Sequence, residues 1–564
     1  MNPDIVFKHL MRPFLLFQTL AAAAILVPST SAQSQDSASV PGSQGSLFEP
    51  VVTVSGDSVD HLRIAQLEGR APAGGMFLRS TSSLTDRRRT GLAPRPFTIV
   101  LPQAAFTMNS DLPFGQNDGA MWGGKGYNWR ILGGATATFG PVRIVAIPEL
   151  VTSTNYAISI DPLDLRFARP LPGEYSRFAS PFNYLPYPAD YPYRFGDSAF
   201  AKLYPGQSSA SVLVGSFEGG VSTENEWWGP AIRNPILFSD NAAGFPHGFI
   251  RTGKPVATGI GVFEGRWIVG GLKESDYFDD DITNDVRSIS ALSIIWKHRA
   301  ESGLSLGIAR SVFAPSDGYS GVAGHAFDFI LGTDHPNARA ASDSTFSPGR
   351  DQIFSVFAHW MIPRYGLESY IEWARAEMPS SLRDFILYPN HTRGFTGGLQ
   401  YAHTFADRVS RFRVQGEFTN VEQSGSYRFR PIGSFYTSRA VIQGYTNEGQ
   451  MLGAGVGPGS SGEWFAADYM RNDFEVGVNF GRTRPNTDAF FARSNPNRCF
   501  HDVMVYPGAR AAFSTRYFRL KADYSRPTRY NAFFQRVRGC ETDETAIGDR
   551  SWHYLTLTLS LLGW

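Results

Sequence analysis

Residues 411–419 carry the pattern that most narrows what this chain can become. Arg411, Arg413, Gln415, Glu417 and Thr419 take the odd positions, and Phe412, Val414, Gly416 and Phe418 the even ones. Successive side chains of a strand point to opposite faces, so this segment reads as a strand with one charged face and one apolar face. Phe474, Val476, Val478 and Phe480 repeat the pattern against Glu475, Gly477 and Asn479. So do Phe518, Leu520, Ala522 and Tyr524 against Arg519, Lys521, Asp523 and Ser525, and Leu304, Leu306 and Ile308 against Ser305, Gly307 and Ala309. Residues 129–139, the turn Gly140-Pro141 and residues 142–151 read as a hairpin. A soluble sandwich also alternates. Strands of this length, separated by tight turns and long loops in alternation, match instead a transmembrane antiparallel β-barrel with its charged members in the lumen.

Composition agrees with an all-β chain. There are 57 glycines in 564 residues and 18% charged residues, against averages of about 7% and about 25%. The formal net charge of +1 argues against a nucleic-acid partner, which would want a basic face. No zinc-binding His-Glu-x-x-His, serine elbow or phosphate-binding loop occurs, so no catalytic residue and no cofactor are expected. The run Gly453–Gly459 breaks a dinucleotide fingerprint at Pro458 and reads as a flexible loop.

Residues 1–32 read as a secretory signal: Lys8 and Arg12 precede an apolar core from Phe14 to Val27, and Thr30-Ser31-Ala32 supplies the small cleavage site. That core is short, and nothing else approaches the ~18 apolar residues of a spanning helix. Residues 33–94 divide into a disordered Ser/Gln/Gly-rich lead and a short periplasmic helix. In the helix, Leu62, Ala65 and Leu67 share a stripe, a Ser or Asp is available as cap, and Gly69 is the stop. The barrel is expected over residues 95–564. Its last strand alternates Leu555, Leu557, Leu559 and Leu561 with Thr556, Thr558 and Ser560 before Trp564. Counting back from a periplasmic Trp564 gives roughly sixteen to eighteen strands. It puts bends near Pro363, Asp407 and Asn472 inside and long loops such as 154–207, 378–392 and 422–462 outside. Cys499 and Cys540 fall in outer loops flanking adjacent strands; a bridge between them is expected, with two free thiols as the alternative.

Residues 224–247 form the most distinctive segment. Trp227 and Trp228 abut Gly229-Pro230, and Arg233, Asn234, Ser239, Asp240 and Asn241 follow. Aromatic faces beside a guanidinium and amides suit a sugar ring, which offers a C–H face and hydroxyls. The same residues fit a packed corner, and both readings stay open. Strand parity puts this stretch on the periplasmic side or folds it into the lumen as a plug, over residues 224–256.

The chain resembles the capsule-assembly Wzi family of outer-membrane proteins. The resemblance rests on Glu226-Trp227-Trp228-Gly229-Pro230 through Phe245-Pro246-His247, and on Val262-Phe263-Glu264-Gly265 with Gly270 and Gly271. Further segments are Ser381 to Arg393, which includes Arg383, Asp384 and His391, then Gly398-Leu399-Gln400, and Tyr436-Thr437 through Gln443-Gly444-Tyr445-Thr446 to Ser460. It spans about residues 55 to 564. The chain departs from it in a Pro/Tyr-rich loop, 170–204, and in Asn117–Trp122. The resemblance implies a barrel of about 18 strands with helical material at its periplasmic end, holding capsular polysaccharide at the cell surface in the manner of a lectin; a monomer is expected. Trp227, Trp228, Arg233, Asn234, Asp240, Asn241, Arg383, Asp384 and His391 are the candidate polysaccharide-binding or plug residues. The expected partners are surface polysaccharide and outer-membrane lipid, and the competing function is a passive porin or sugar channel.

Overall fold

The computed structural model describes residues 47–72, 76–158, 189–279, 281–301, 303–330, 349–379, 381–430, 433–438, 440–491, 501–534 and 549–563, which belong to one compact unit. Eighteen antiparallel strands close into a barrel. The first nine are β1 (Phe97–Asn109), β2 (Gly126–Phe139), β3 (142–153), β4 (200–214), β5 (Phe217–Ser222), β6 (247–258), β7 (Gly261–Lys273), β8 (Val286–His298) and β9 (Leu304–Pro315). The others are β10 (Asp351–Ile362), β11 (Leu367–Arg375), β12 (Arg393–Thr404), β13 (Ser410–Asn420), β14 (Ser461–Arg471), β15 (Phe474–Arg484), β16 (Val503–Ser514), β17 (518–530) and β18 (550–561). Closure is between β18 and β1, in register from Tyr554 opposite Asn109 to Ser560 opposite Gln103. β18 runs out there, and Phe48–Pro50 pairs in parallel with Ile99–Leu101, covering an edge that would otherwise stay unpaired.

The barrel is polar inside and apolar outside. On β13, Phe412, Val414 and Phe418 are exposed, while Arg413, Gln415 and Glu417 are buried in the lumen. Phe97, Phe139, Phe217, Tyr365, Phe405, Phe474 and Phe513 form an exposed ring at the short-turn end. Tyr127, Tyr156, Phe418 and Tyr530 form its counterpart toward the long loops. Two aromatic girdles around an apolar band are the membrane signature of such barrels, and the short-turn end is the periplasmic one. Among the described residues no helix is long and apolar enough to cross a membrane.

Among the described residues, two of the pieces of chain inside the lumen position the site. The first is α1 (Asp57–Leu67), the expected helix, at the periplasmic mouth. Its N-cap is Gly56 with no side-chain cap bond, not a Ser or Asp. The first-turn carboxylates are committed to the wall instead. Asp57 accepts from Arg519 Nε at 2.7 Å, and Asp60 accepts from Arg413 Nη1 at 2.5 Å. Arg63 donates to Glu368 Oε1 at 2.9 Å, and Leu67 packs on Met361 and Ala402.

The second is the tryptophan segment. It connects β5 to β6 and so leaves the barrel at the long-loop end, not the periplasmic end that counting strands suggested. It then folds inward as a plug. The plug stops at Pro246, because residues 247–258 are wall strand β6 and not plug. Trp227 and Trp228 pair antiparallel with Arg79 and Leu78. Glu417 of the wall holds the next turn: it accepts the backbone N–H groups of Ile232 (2.8 Å), Arg233 (3.1 Å) and Asn234 (2.8 Å) and the Tyr370 hydroxyl (2.6 Å). Gly229 has φ +107°, and a Cβ there would lie 3.0 Å from Glu372 Oε2. The plug core joins Trp228, Phe238 and Phe245 to Tyr436, Tyr445 and Met451 of the β13–β14 loop.

That loop corrects another expectation. The Gly453–Gly459 run is packed and not a free loop. Leu452 O accepts from Ser239 N at 2.8 Å, Ala454 is fully buried, and a Cβ on Gly453 would lie 2.3 Å from Ile236 O. Cys499, Cys540, residues 1–46 and Trp564 lie outside the described residues, and with them the expected disulfide, signal and terminal aromatic.

Glu417→Ala takes the acceptor from the Arg233 and Asn234 N–H groups, each at a cost of roughly 1–3 kcal/mol, while the Ile232 N–H keeps the Tyr370 hydroxyl at 3.2 Å. The variant is expected to keep the heat-modifiable migration of a closed barrel, while residues 226–241 become sensitive to protease and the barrel gains ion conductance in planar bilayers.

Candidate functional site

A cavity of about 180 Å³ lies where the β1–β2 loop, the plug, residues 191–193, the β13–β14 loop and the outer ends of β15 to β18 converge. The β1–β2 loop bends through Gly115 (φ +130°), Asn117 (φ +61°) and Gly119 (φ +64°), which turns its polar groups onto the plug. Asn117 N donates to Asn241 Oδ1 at 2.7 Å and Asn117 Nδ2 to Arg233 O at 2.9 Å. Arg233 Nη2 donates to Gln116 Oε1 at 2.7 Å, with its guanidinium over the Trp464 ring at 4.6 Å. Gly119 N donates to Asp240 O at 2.8 Å. Every one of these bonds joins loop to plug or plug to wall, so the plug shapes the cavity floor.

Aromatic rings make up much of the lining. Phe114 meets Tyr506 edge-on at 5.3 Å and Trp552 at 6.4 Å, and Trp122 meets Phe195 at 4.9 Å. Tyr193 lies against Phe533 at 5.0 Å, beside Arg529, which Asp502 holds at 2.8 Å. Four polar atoms of lining residues have no hydrogen-bond partner among the described residues: Trp122 Nε1, Trp552 Nε1, Arg233 Nε and Asn117 Oδ1. Buried polar groups are nearly always bonded; unbonded ones recur through the lumen, Arg79 Nε and Trp227 Nε1 among them, and these four are the ones that fall on residues lining the cavity. An apolar face ringed by such groups can take a pyranose.

The expected site residues divide into three sets. Arg233 and Asn241 line the cavity. Trp227, Trp228, Asn234 and Asp240 are buried in the plug, behind it. Arg383, Asp384 and His391 lie in the β11–β12 loop and do not line it: Asp384 accepts from Arg430 at 3.0 Å, and His391 Nδ1 lies 2.9 Å from Ser426 Oγ. The sequence reading missed Phe114, Gln116, Tyr193, Tyr506 and Trp552 as lining residues. Aromatics and amides in outer loops were visible, but nothing in the sequence says that loops so far apart converge.

Asp118, at the cavity wall, and Asp240, buried behind it, share one charge cluster with Arg130. Burial pushes the Asp240 carboxyl up to about 7 and Asp118 up to about 6, against the pull of Arg130. Ser55 Oγ donates to Asp240 Oδ2 at 2.5 Å. In the undocked chain Asp240 loses its proton near pH ~4. The docked plug therefore binds the extra proton between about pH 4 and about 7, and docking weakens as pH rises through that window. Hydrogen exchange of residues 225–241 should accelerate from pH 4 to 7 beyond its intrinsic rate, by up to a few kcal/mol in local stability, and then level off. Asp240→Asn should flatten most of that slope.

No protein family matches the sequence by its family model, and no curated protein matches it by sequence. Solved structures do match. Wzi from Escherichia coli, an outer-membrane protein involved in group 1 capsule assembly and described as a carbohydrate-binding β-barrel, is 10% identical with a TM-score of 0.51, over 85% of this chain and 87% of that one. Pseudomonas aeruginosa OccK7 (OpdD) is 11% identical with a TM-score of 0.37, over 82% and 97%. A BenF-like porin from Pseudomonas fluorescens is 10% identical with a TM-score of 0.36, over 83% and 99%. The shared fold and the girdled exterior make this chain an outer-membrane β-barrel.

Proposed function

We propose that this barrel holds a surface polysaccharide without chemically altering it, one sugar unit seating in the cavity between the 113–123 loop, Arg233 and Trp552. The observation that carries this reading is the set of four unpartnered polar groups among the aromatic rings of one cavity at the long-loop end. A glycoside hydrolase needs two carboxylates flanking the bond, and among the described lining residues Asp118 is the single carboxylate, with no histidine beside it. The Wzi structure supports the reading as a carbohydrate-binding barrel of the same fold. The rival reading, a passive porin or sugar channel, requires a continuous water path past α1 and the Glu417-anchored plug, both of which stand across the lumen.

Titration calorimetry of purified protein in detergent with the host's own surface polysaccharide tests it. Trp122→Phe, which keeps a ring and loses the N–H, should weaken binding several-fold, and Trp122→Ala about tenfold or more, roughly 1.4 kcal/mol. Arg383→Ala should bind as the parent does. All three should retain heat-modifiable migration. A parent protein that binds no polysaccharide, or Trp122 variants that bind normally, would sink the assignment, and parent-level conductance of small sugars would favour the channel.

A further inference from the structure

Outer loops of a membrane barrel usually project into water. Two of these fold back down the outside of the wall. Within β7 to β11, Arg266, Ile268, Ile289, Ala291, Ala309 and Ala374 point inward: Arg266 reaches Glu226 of the plug, and the others belong to the plug core. Their neighbours Trp267, Ser290, Arg310 and Arg375 therefore face the lipid side. The β9–β10 loop covers three of these. Ala326 O accepts from Trp267 Nε1 at 3.0 Å and from Ser290 Oγ at 2.9 Å, Phe329 O accepts from Arg310 Nη1 at 2.8 Å, and Phe327 stacks on Trp267 at 5.8 Å. The β11–β12 loop does the same with the helix Leu382–Leu387: Phe385 packs on Trp373 at 6.1 Å and under Arg375 at 5.8 Å, and Tyr388 O accepts from Arg375 Nη1 at 3.3 Å. Gly271 on the same outer face has no room for a Cβ, which would lie 2.6 Å from the Tyr319 ring.

Having covered the wall, these loops present apolar groups of their own. Tyr319, Phe327, Ile330, Leu382, Ile386 and Leu387 are each half-exposed or more, Leu382 at 74%. They continue the lipid-facing surface formed lower on the wall by Ile294, Ile308, Val356 and Ile371. Trp267 lies six residues below the end of β7, or roughly 15 Å along the barrel axis for a strand tilted at about 40°. A 13-residue strand so tilted is roughly 33 Å tall, against an apolar band of about 25 Å. The loops therefore hang into the upper part of that band.

We infer that the β9–β10 and β11–β12 loops form a collar embedded among the acyl chains of the outer leaflet, a lipid-binding surface on the side of the barrel away from the cavity. The inference stands independently of the polysaccharide reading. The test places a bimane fluorophore at Phe327→Cys and, separately, Ile386→Cys, in full-length protein carrying Cys499→Ser and Cys540→Ser, reconstituted in vesicles with acyl-brominated phospholipid. Heat-modifiable migration certifies each variant. Both positions should be quenched by bromolipid as strongly as a wall control at Ile308→Cys, and several-fold less by aqueous iodide than an outer-loop control at Asp197→Cys. Iodide quenching equal to that at Asp197 would put the loops in water and overturn the proposal. So would protection from both quenchers together with a cross-linked dimer, which would assign the surface to a second copy of the chain. Polysaccharide binding by the labelled proteins, measured in parallel, should be unchanged whichever result is obtained.

Discussion

The contact on which the rest depends is a carboxylate of the lumen wall accepting hydrogen bonds from chain folded inside it. Glu417 gathers three consecutive backbone N–H groups of the plug, and Glu368 takes Arg63 of α1 at 2.9 Å and His359 at 2.8 Å. A charge withdrawn from water is expensive unless paired and fully bonded. A wall so rich in Glu and Arg must therefore either enclose a water-filled channel or be filled with complementary groups. This chain is filled. The plug and α1 supply backbone donors, arginines and acids where the wall requires them, from opposite ends of the barrel.

That filling decides where a ligand can bind. With the interior occupied, the space left over lies at the seam where the plug, the β1–β2 loop and the outer ends of the last strands meet. The wall fixes the plug, and the plug fixes Asn117 and Gln116 through Arg233 and Asn241; Arg233 Nε and the Trp122 and Trp552 indole N–H groups stay without a partner among the described residues. A buried Trp227-Trp228 pair is thus one step removed from the ligand: it supports the floor, and the contact residues come from loops distant in sequence. The collar shows the same economy on the other face, where Ser290 and Gly271 stand at outward positions so that a loop can lie against them.

The fold was largely legible. Alternation in 411–419 and 474–480 marked strands of the right polarity, the Gly140-Pro141 hairpin stands where expected, and α1 was readable from Leu62 to Leu67 and its glycine stop. The site was legible in part. Arg233 and Asn241 were singled out and line the cavity, whereas Trp228, Asp240 and His391 have the chemistry of binding residues and are buried among their own partners. Residue type cannot separate the two, because an amide or indole that meets a sugar and one that meets a buried carbonyl are chosen for the same hydrogen bonds.

By itself the sequence determined the class of fold, a β-barrel with a charged lumen, because a period of two is a local property that each strand carries within its own residues. Only the tertiary structure decided which end the tryptophan segment leaves from, that the glycine run is packed, that two outer loops lie on the wall, and which polar groups stay unpaired. Each of these depends on contacts between residues tens to hundreds apart, such as Arg233 with Gln116 or Ser239 with Leu452. No local pattern encodes such a meeting. It is settled by which partner satisfies a buried group once the barrel has closed around it.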